Sequence, residues 1–144
     1  MWDELSGGVI NLLNTLSTVD HNVAIFDYAM TNIPAYPAIT VTPSDNTAQY
    51  ADTRRNERSY IFSIKCYQER VKAGEQLSEL IVRQLVDSAI TLFDANPLLD
   101  QVNGFGRLNG RGYCRPIPSV WKYIQSEQVD VRMAEILLEC VVIQ

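Results

Sequence analysis

The C-terminal segment MAEILLECVVIQ, residues 133–144, restricts the fold more than any other part of the sequence, because it is apolar on both sides of a predicted strand. One side carries Ala134, Ile136, Leu138, Cys140 and Val142. The other side is also largely apolar, with Leu137, Val141 and Ile143 beside Glu135 and Glu139. Such a strand requires a cover on each side. We therefore expect one cover from the N-terminal helix and another from a neighbouring subunit.

Shorter alternating patterns predict the remaining strands. The clearest begins at Ser59 and places one set of apolar residues on a single face, namely Tyr60, Phe62, Ile64 and Cys66. The segments AITVT (38–42), VAIFDYAM (23–30) and IPSVWKYIQ (117–125) are also compatible with strands. Pairing between AITVT and the segment at 59–66 is expected, since consecutive strands often lie side by side.

Two segments have helical periodicity. In the N-terminal segment, apolar residues recur every three or four positions from Trp2 to Leu16. A longer helix is predicted in GEQLSELIVRQLVDSAITLFDANP, with an apolar stripe formed by Leu77, Leu80, Ile81, Leu85, Ala89, Leu92 and Phe93. The sequence thus predicts a single α+β domain over residues 1–144, in which a mostly antiparallel sheet of about four strands carries the long helix on one face, with an N-terminal helix in addition.

Residues 44–58, SDNTAQYADTRRNER, interrupt the pattern because they have no apolar periodicity. We expect them to form a polar arm that connects two strands of a hairpin. About fifteen residues without a core are uncommon in a compact domain unless they are disordered or make contacts elsewhere. The arm therefore supplies interface candidates, namely Tyr50, Arg54, Arg55 and Arg58. A solvated loop is the alternative interpretation.

Composition excludes several classes of protein. The chain has 144 residues, 12 basic against 17 acidic, and a net charge of −5, which argues against a dedicated nucleic-acid binder. Its cysteines, Cys66, Cys114 and Cys140, are odd in number and far apart, so neither a disulfide framework nor a structural zinc site is expected. Reduced thiols in a cytoplasm are the simplest interpretation.

No residue pattern indicates a catalytic centre or a cofactor. His21 is the only histidine and lies in a turn-like segment, while Cys66 alternates with apolar residues as a buried side chain would. A small hydrolase that uses Cys66, or a carboxylate pair such as Asp94 and Asp100, is one alternative function.

The stretch from Asn103 to Arg115 is rich in glycine and arginine. It lacks the spacing of phosphate-binding loops, so a flexible connection is favoured. Its arginines are the candidates for contact with phosphate or with the lumen of a channel, and a nucleic-acid-binding module acting through them is a further alternative: Arg107, Arg111 and Arg115.

The order of elements, together with the phrases YPAITV and RSYIFSIKCYQER, resembles the tail-terminator (tail completion) proteins of long-tailed bacteriophages. The resemblance covers most of the chain. It implies a non-enzymatic subunit without a cofactor, which forms a homohexameric ring, stops polymerisation of the tail tube and joins the tail to the head-side connector. A head–tail adaptor or stopper of the neck is the closest alternative.

The resemblance also implies partners and a location. The partners are further copies of the chain, the tail tube protein, the head-side connector or neck protein, and viral DNA that passes through the lumen without sequence-specific binding; no membrane is involved. The location is the tail–neck junction of the virion, with assembly in the host cytoplasm. Six copies, each at −5, would carry −30, a charge that favours sliding of DNA over adhesion.

Overall fold

The computed structural model describes residues 2–16, 23–28, 33, 36–50, 56–69, 75–97, 112–125 and 130–143. Within these residues, two helices accompany five strands. The helices are α1 (Trp2–Leu16) and α2 (Glu75–Ala95), and the strands are β1 (Ala24–Phe26), β2 (Ala38–Tyr50), β3 (Asn56–Glu69), β4 (Gly112–Gln125) and β5 (Asp130–Ile143). The predicted α+β class is confirmed, although the sheet has five strands where about four were expected.

The five strands form one sheet in the order β1-β2-β3-β5-β4. The short β1 runs parallel to β2, and every other neighbouring pair is antiparallel. β5 therefore lies inside the sheet, with β3 on one side and β4 on the other.

Both helices pack on the same face of the sheet, which we call the helix face. Apolar residues of α1, such as Leu5 and Val9, share one core with Val82 and Phe93 of α2. The ring of Trp2 makes edge-to-face contacts with two aromatic rings of β3, at centroid distances of 5.0 and 5.1 Å: Tyr60 and Phe62. The predicted face of β5 is confirmed as core, since these residues are all at most 4% exposed: Ala134, Ile136, Leu138, Cys140 and Val142.

The opposite face of the sheet, which we call the open face, is covered by neither of these helices. The sequence analysis expected one cover of β5 from the N-terminal helix and another from a neighbouring subunit, and α1 belongs to the core on the helix face. Both helices lie on this one face because their apolar stripes form a single core together with the apolar residues of the sheet. Of the two expected covers, only the neighbouring subunit is left as a prediction.

The apolar stripe of α2 differs from the prediction at its N-terminal end. Leu77 and Leu80 are about half exposed, at 49% and 48%. Burial instead follows Ser78, Val82, Leu85, Val86, Ala89 and Phe93. These positions keep the spacing of three or four residues that places side chains on one side of a helix, so the helix is rotated relative to the predicted stripe.

Strands β2 and β3 extend into the segment expected to be a polar loop. After a bulge between Pro43 and Asn46, the ladder continues from Asn46 opposite Tyr60 to Tyr50 opposite Asn56. β3 is supported on its other side as well, because Glu57 lies opposite Ile143 of β5. Backbone hydrogen bonds to neighbouring strands hold these polar residues in extended conformation, which requires no apolar alternation.

Candidate functional site

The open face changes in character from its centre to the β4 side. Its centre is polar: the Ser63 hydroxyl donates a hydrogen bond to Glu135 Oε2 at 2.5 Å, and Lys65 lies directly opposite Glu135. Towards β4 the face carries more apolar residues, with Ile117 opposite Leu137 and Tyr113 opposite Val141 on either side of the Arg115–Glu139 pair. An apolar strip at the margin of an otherwise polar face is the kind of surface that protein interfaces use.

Exposed apolar side chains are concentrated on β4. Among the described residues, nine large hydrophobic side chains are exposed, and six belong to this one strand: Tyr113, Ile117, Val120, Trp121, Tyr123 and Ile124. Their exposed fractions run from 37% to 49%. β4 is also the last strand of the sheet, so one of its edges has no strand beside it in the described part of the chain. We identify β4 and the adjoining open face as the candidate interface.

A bulge in β4 decides where two of these aromatic rings lie. Pro118 is opposite Ile136 and Trp121 is opposite Ala134, so β4 has one more residue than β5 in this interval. One extra residue reverses the faces of all the residues that follow. Trp121 and Tyr123 therefore lie on the helix face, whereas Ile117 lies on the open face.

The two rings enclose the guanidinium of Arg132. Its Cζ atom lies 5.3 Å from the centroid of the Trp121 ring and 4.5 Å from that of Tyr123. Both distances are within the range in which an aromatic face attracts a cation. The Arg132 side chain is only 13% exposed, so the contact between the guanidinium and the rings is largely shielded from water.

Arg132 also joins this edge of the sheet to α2. Its Nε donates to Glu79 Oε2 at 2.5 Å and its Nη2 donates to Glu79 Oε1 at 3.2 Å, a two-point contact that suits a planar guanidinium. Arg83 Nε reaches the same carboxylate at 3.1 Å. The hydrogen bonds from Arg132 hold the pKa of Glu79 below its ordinary value of 4.5, with smaller contributions from the positive charges of both arginines.

The arginine candidates are distributed over different parts of the sheet. Arg115 belongs to β4, where its Nη2 lies 3.4 Å from Glu139 Oε1 across the strand pair, and its side chain is 60% exposed. Arg58 is exposed on β3, opposite Val142. Arg54, Arg55, Arg107 and Arg111 lie outside the described residues. The expected flexible connection ends earlier than predicted, because β4 already begins at Gly112.

The apolar and aromatic interface candidates lie along β5 and at the end of β2. Leu137 is partly exposed on the open face, whereas Val141 is only 3% exposed within its own subunit. Tyr50 and Ile143 end β2 and β5 and lie near the same end of the sheet. Of these candidates, Leu137 therefore offers accessible apolar area on the open face, next to β4.

The sequence interpretation missed β4 as a surface. It identified IPSVWKYIQ as a strand but selected no residue from it. The available signal was that this segment, like the one after it, has apolar residues at both odd and even positions, including Ile117, Val120, Trp121 and Ile124. A strand that is apolar on both sides needs a cover on each side or takes part in an interface with another molecule. β4 lies at the edge of the sheet, which favours the interface.

Cys66 is unsuited to nucleophilic chemistry. The side chain is fully buried, and that burial raises the pKa of the Cys66 thiol from 9.0 to about 12. A thiol in this state has almost no reactive thiolate near neutral pH. Among the residues that the structure describes, no three metal-ligating side chains come together, and no helix is long and apolar enough to cross a membrane. His21 and Asp100 lie outside those residues.

Comparison with known proteins gives a likeness in fold. No family model matches the sequence, and no curated protein matches it. Among solved structures, the chain is similar to one from a structure described as "Virion of native gene transfer agent (GTA) particle", with a TM-score of 0.58 and 16% sequence identity. The match covers 97% of this chain and 95% of the other. The two chains therefore share a fold over nearly their entire lengths.

Proposed function

We propose that this chain is a structural subunit of a phage-like virion, which forms a hexameric ring, ends the polymerisation of the tail tube and joins the tail to the head-side connector. Its role in this proposal is mechanical and not catalytic. The ring encloses a passage for DNA, and the partners of each subunit are its neighbouring copies, the tube protein below and the connector above.

The observation that carries the proposal is the shared fold with a chain of a virion particle. The match extends over almost the whole of both chains, so it is a likeness between complete domains and not between common substructures. It agrees with the resemblance to tail-terminator proteins that the order of elements and the phrases YPAITV and RSYIFSIKCYQER give. Fold alone does not specify function, and the surface of the subunit supplies the second argument.

The second argument is that the two faces of the sheet are covered to different extents. The helices cover the centre of the helix face, while the open face has exposed apolar residues along β4 that the described helices do not cover. A closed ring is built from head-to-tail contacts, in which each subunit presents two different surfaces. The β4 strip on one side and the hairpin formed by β2 and β3 on the other provide two such surfaces at different places.

The size of the purified particle tests the ring. We expect light scattering behind size-exclusion chromatography to give six times the 16.3 kDa of the chain, either for the protein alone or after addition of tail tube protein. Electron microscopy should show a ring with a central opening. A monomer under both conditions would refute the proposal. Co-purification with portal-bound neck proteins in place of tube protein would favour the neck adaptor.

The arm offers a second test through Arg54 and Arg55. Replacing both by Glu reverses two charges and is expected to weaken assembly. The polar sequence around them predicts exposed positions, where changes seldom alter stability by more than about 0.5 kcal/mol, so the melting temperature of the subunit should stay within a few degrees. Replacing both by Lys is the matched control, since it keeps the charges and removes only the planar fork. Normal tail length and infectivity of the Glu variant would exclude the arm as an interface.

A further inference from the structure

Two of the three cysteines lie directly opposite each other in the sheet. Cys114 of β4 is the register partner of Cys140 of β5, although the two are distant in sequence. Both belong to the core on the helix face, where their exposed fractions are 4% and 0%. Both are free thiols. The register of β4 and β5 thus brings together two thiols that their spacing in the sequence does not connect.

Backbone hydrogen bonds identify the type of this pair. The N–H of Cys114 donates to Pro97 O at 2.7 Å, so it does not point towards β5. Pro116 and Pro118 follow at alternate positions of β4, and proline has no N–H to donate to a neighbouring strand. Cys114 and Cys140 therefore form a non-hydrogen-bonded pair, in which opposite Cα atoms are about 4.5 Å apart.

A disulfide can bridge a pair of this type with little movement of the backbone. Disulfides join Cα atoms that are about 4.4–6.8 Å apart, and the separation typical of a non-hydrogen-bonded pair falls within this range. Directly opposite side chains also lie on the same face of the sheet, with their Cβ atoms closest in pairs of this type. The strands thus place both cysteines as a disulfide requires.

The side chains offer little resistance to such a bond. The Cys114 thiol donates a hydrogen bond to Asn96 O at 3.5 Å, and a thiol is a weak donor, so its rotation towards Cys140 costs little. The two sulfurs already influence each other. The pKa of the Cys140 thiol is raised well above 9.0, first by burial and then by the nearby Cys114 and Glu139.

We propose that Cys114 and Cys140 form a disulfide in an oxidising environment, and that this bond fastens the edge strand β4 to β5 within one subunit. The oxidant is a small disulfide, such as oxidised glutathione. One cysteine thiolate attacks it, which gives a mixed disulfide and releases one glutathione. The second cysteine thiolate then displaces the other glutathione. Two protein thiols are oxidised, one glutathione disulfide is reduced, and the two protons pass to the two glutathione thiols.

The edge position of β4 gives the oxidant access to this buried pair. In the closed subunit exchange is slow, because burial raises the pKa of the Cys114 thiol from 9.0 to about 12. In the described part of the chain, however, β4 has a strand on one side only. Strands at an edge open locally at a lower free energy than strands inside a sheet. We expect the bond to form as the chain folds or as β4 opens.

Cys66 provides an internal control. It lies opposite Ile39 on one side and Ala134 on the other, so it has no cysteine partner in register. Cys140 lies opposite Tyr60, which is about 20 Å along β3 from Cys66 at a rise of about 3.3 Å per residue. A disulfide cannot span this distance. Of the three thiols, Cys66 should therefore stay free.

This inference goes beyond the proposed function and does not depend on a ring, because the bond lies within one subunit. Thiols stay reduced in a cytoplasm, whereas disulfides persist outside the cell, including on virions. Combined with the proposed function, this predicts that subunits assemble with free thiols and acquire the bond after the particle has left the cell.

Refolding in a glutathione buffer tests the bond, because the unfolded chain exposes every thiol to the oxidant. The full chain is diluted from urea into oxidised and reduced glutathione, and the remaining thiols are alkylated. Trypsin, which cuts after Lys and Arg but not before Pro, places each cysteine in a separate peptide, 66–70, 112–122 or 133–144. We expect 112–122 to be linked to 133–144, and 66–70 to be alkylated.

Two results would overturn the proposal. One is a refolded chain in which 112–122 and 133–144 stay alkylated or carry glutathione even in the most oxidising buffer. The other is a disulfide that involves 66–70. Circular dichroism of the reduced chain, refolded in parallel, verifies recovery of the fold. The variant Cys66→Ala should form the bond as the wild type does, and Cys114→Ala and Cys140→Ala should not.

The same titration in concentrated urea measures what the fold contributes. At a given glutathione ratio, the ratio of oxidised to reduced pair should be at least about tenfold higher in the folded chain than in urea, because the sheet holds the two thiols together. The bond should then raise the melting temperature by linkage. Equal ratios with and without urea would show that the fold does not favour the bond, which overturns the proposal.

Hydrogen exchange tests the effect on β4. Amides of the peptide 112–122 should exchange at least about tenfold more slowly in the oxidised chain than in the reduced chain, because the bond prevents β4 from opening alone. Equal exchange would contradict the fastening of β4. The size of the particle tests the ring separately: a strictly monomeric protein that forms the bond overturns the proposed function and leaves the disulfide.

Discussion

Replacing Arg132 by Met should destabilise the subunit and loosen the edge that carries the candidate interface. The substitution removes two hydrogen bonds to the Glu79 carboxylate and the contacts with the rings of Trp121 and Tyr123. Hydrogen bonds to charged groups contribute about 1.5–3 kcal/mol and ring contacts about 0.5–2 kcal/mol. Since Arg83 still contacts Glu79, we expect a net loss of about 2–4 kcal/mol in the free energy of unfolding.

Urea unfolding at a fixed subunit concentration measures this loss, because assembly would otherwise shift the transition. Arg132→Lys is the control, as it keeps the charge without the planar fork, and it should recover only part of the stability. A double-mutant cycle with Glu79→Gln isolates the pair and should give a coupling of about 1 kcal/mol or more. A loss below about 0.5 kcal/mol for Arg132→Met would refute the role assigned to this contact.

The same pair has a defined pH dependence. The pKa of Glu79 is lowered in the folded protein, mainly through its hydrogen bonds to Arg132. The resulting stabilisation is complete above the ordinary glutamate pKa of 4.5 and is lost as pH falls through the lower pKa of the folded state. The difference in stability between the wild type and Arg132→Met should therefore be constant near neutral pH and shrink in acid. A difference that grows in acid would contradict this assignment.

Two further predictions concern the core. Leu85→Ala, at a position only 6% exposed, should cost about 2–5 kcal/mol in urea unfolding, and a cost under about 1 kcal/mol would mean that α2 does not rest on the sheet as described. Burial raises the pKa of the Cys66 thiol from 9.0 to about 12 in the folded state. As the pH rises between these two values, the thiol ionises in the unfolded chain but not in the folded one, so the free energy of unfolding falls. Between pH of about 8 and about 10.5 the wild type should lose about 2 kcal/mol more stability than Cys66→Ala, and parallel pH profiles would contradict this.

Periodicity predicted the helices and strands well where one face of the element is buried and the other is not. The alternation in β3 and β5 specified which residues enter the core, because each of these strands has neighbours on both sides and a continuous register. The fold class followed from the same patterns. The rotation of α2 was not predictable to one residue, since Leu77 and Leu80 are as apolar as the residues that the helix buries, and only the sheet and Arg132 select its orientation.

Edges were the least predictable part. The strands at 46–50 and 56–58 are polar, and their extended conformation depends on hydrogen bonds to neighbours that are distant in sequence. The bulges in β2 and β4 reverse the faces of later residues without any marked change in composition. Trp121 and Tyr123 therefore fall on the helix face, although strict alternation from Ile117 would place them on the open face. The candidate interface depends on the bulge in β4, which explains why the sequence did not specify it.

The positions of the two tryptophans provide two separate optical probes. Trp2 contacts the rings of Tyr60 and Phe62 beneath α1, whereas Trp121 is 37% exposed at the sheet margin. Trp2→Phe would leave an emitter that reports on the margin, and Trp121→Phe would leave one that reports on helix docking. The emission maximum of the first should shift to shorter wavelength when the margin becomes covered. That of the second should change only when the chain unfolds, so one fluorimeter can follow the two events independently.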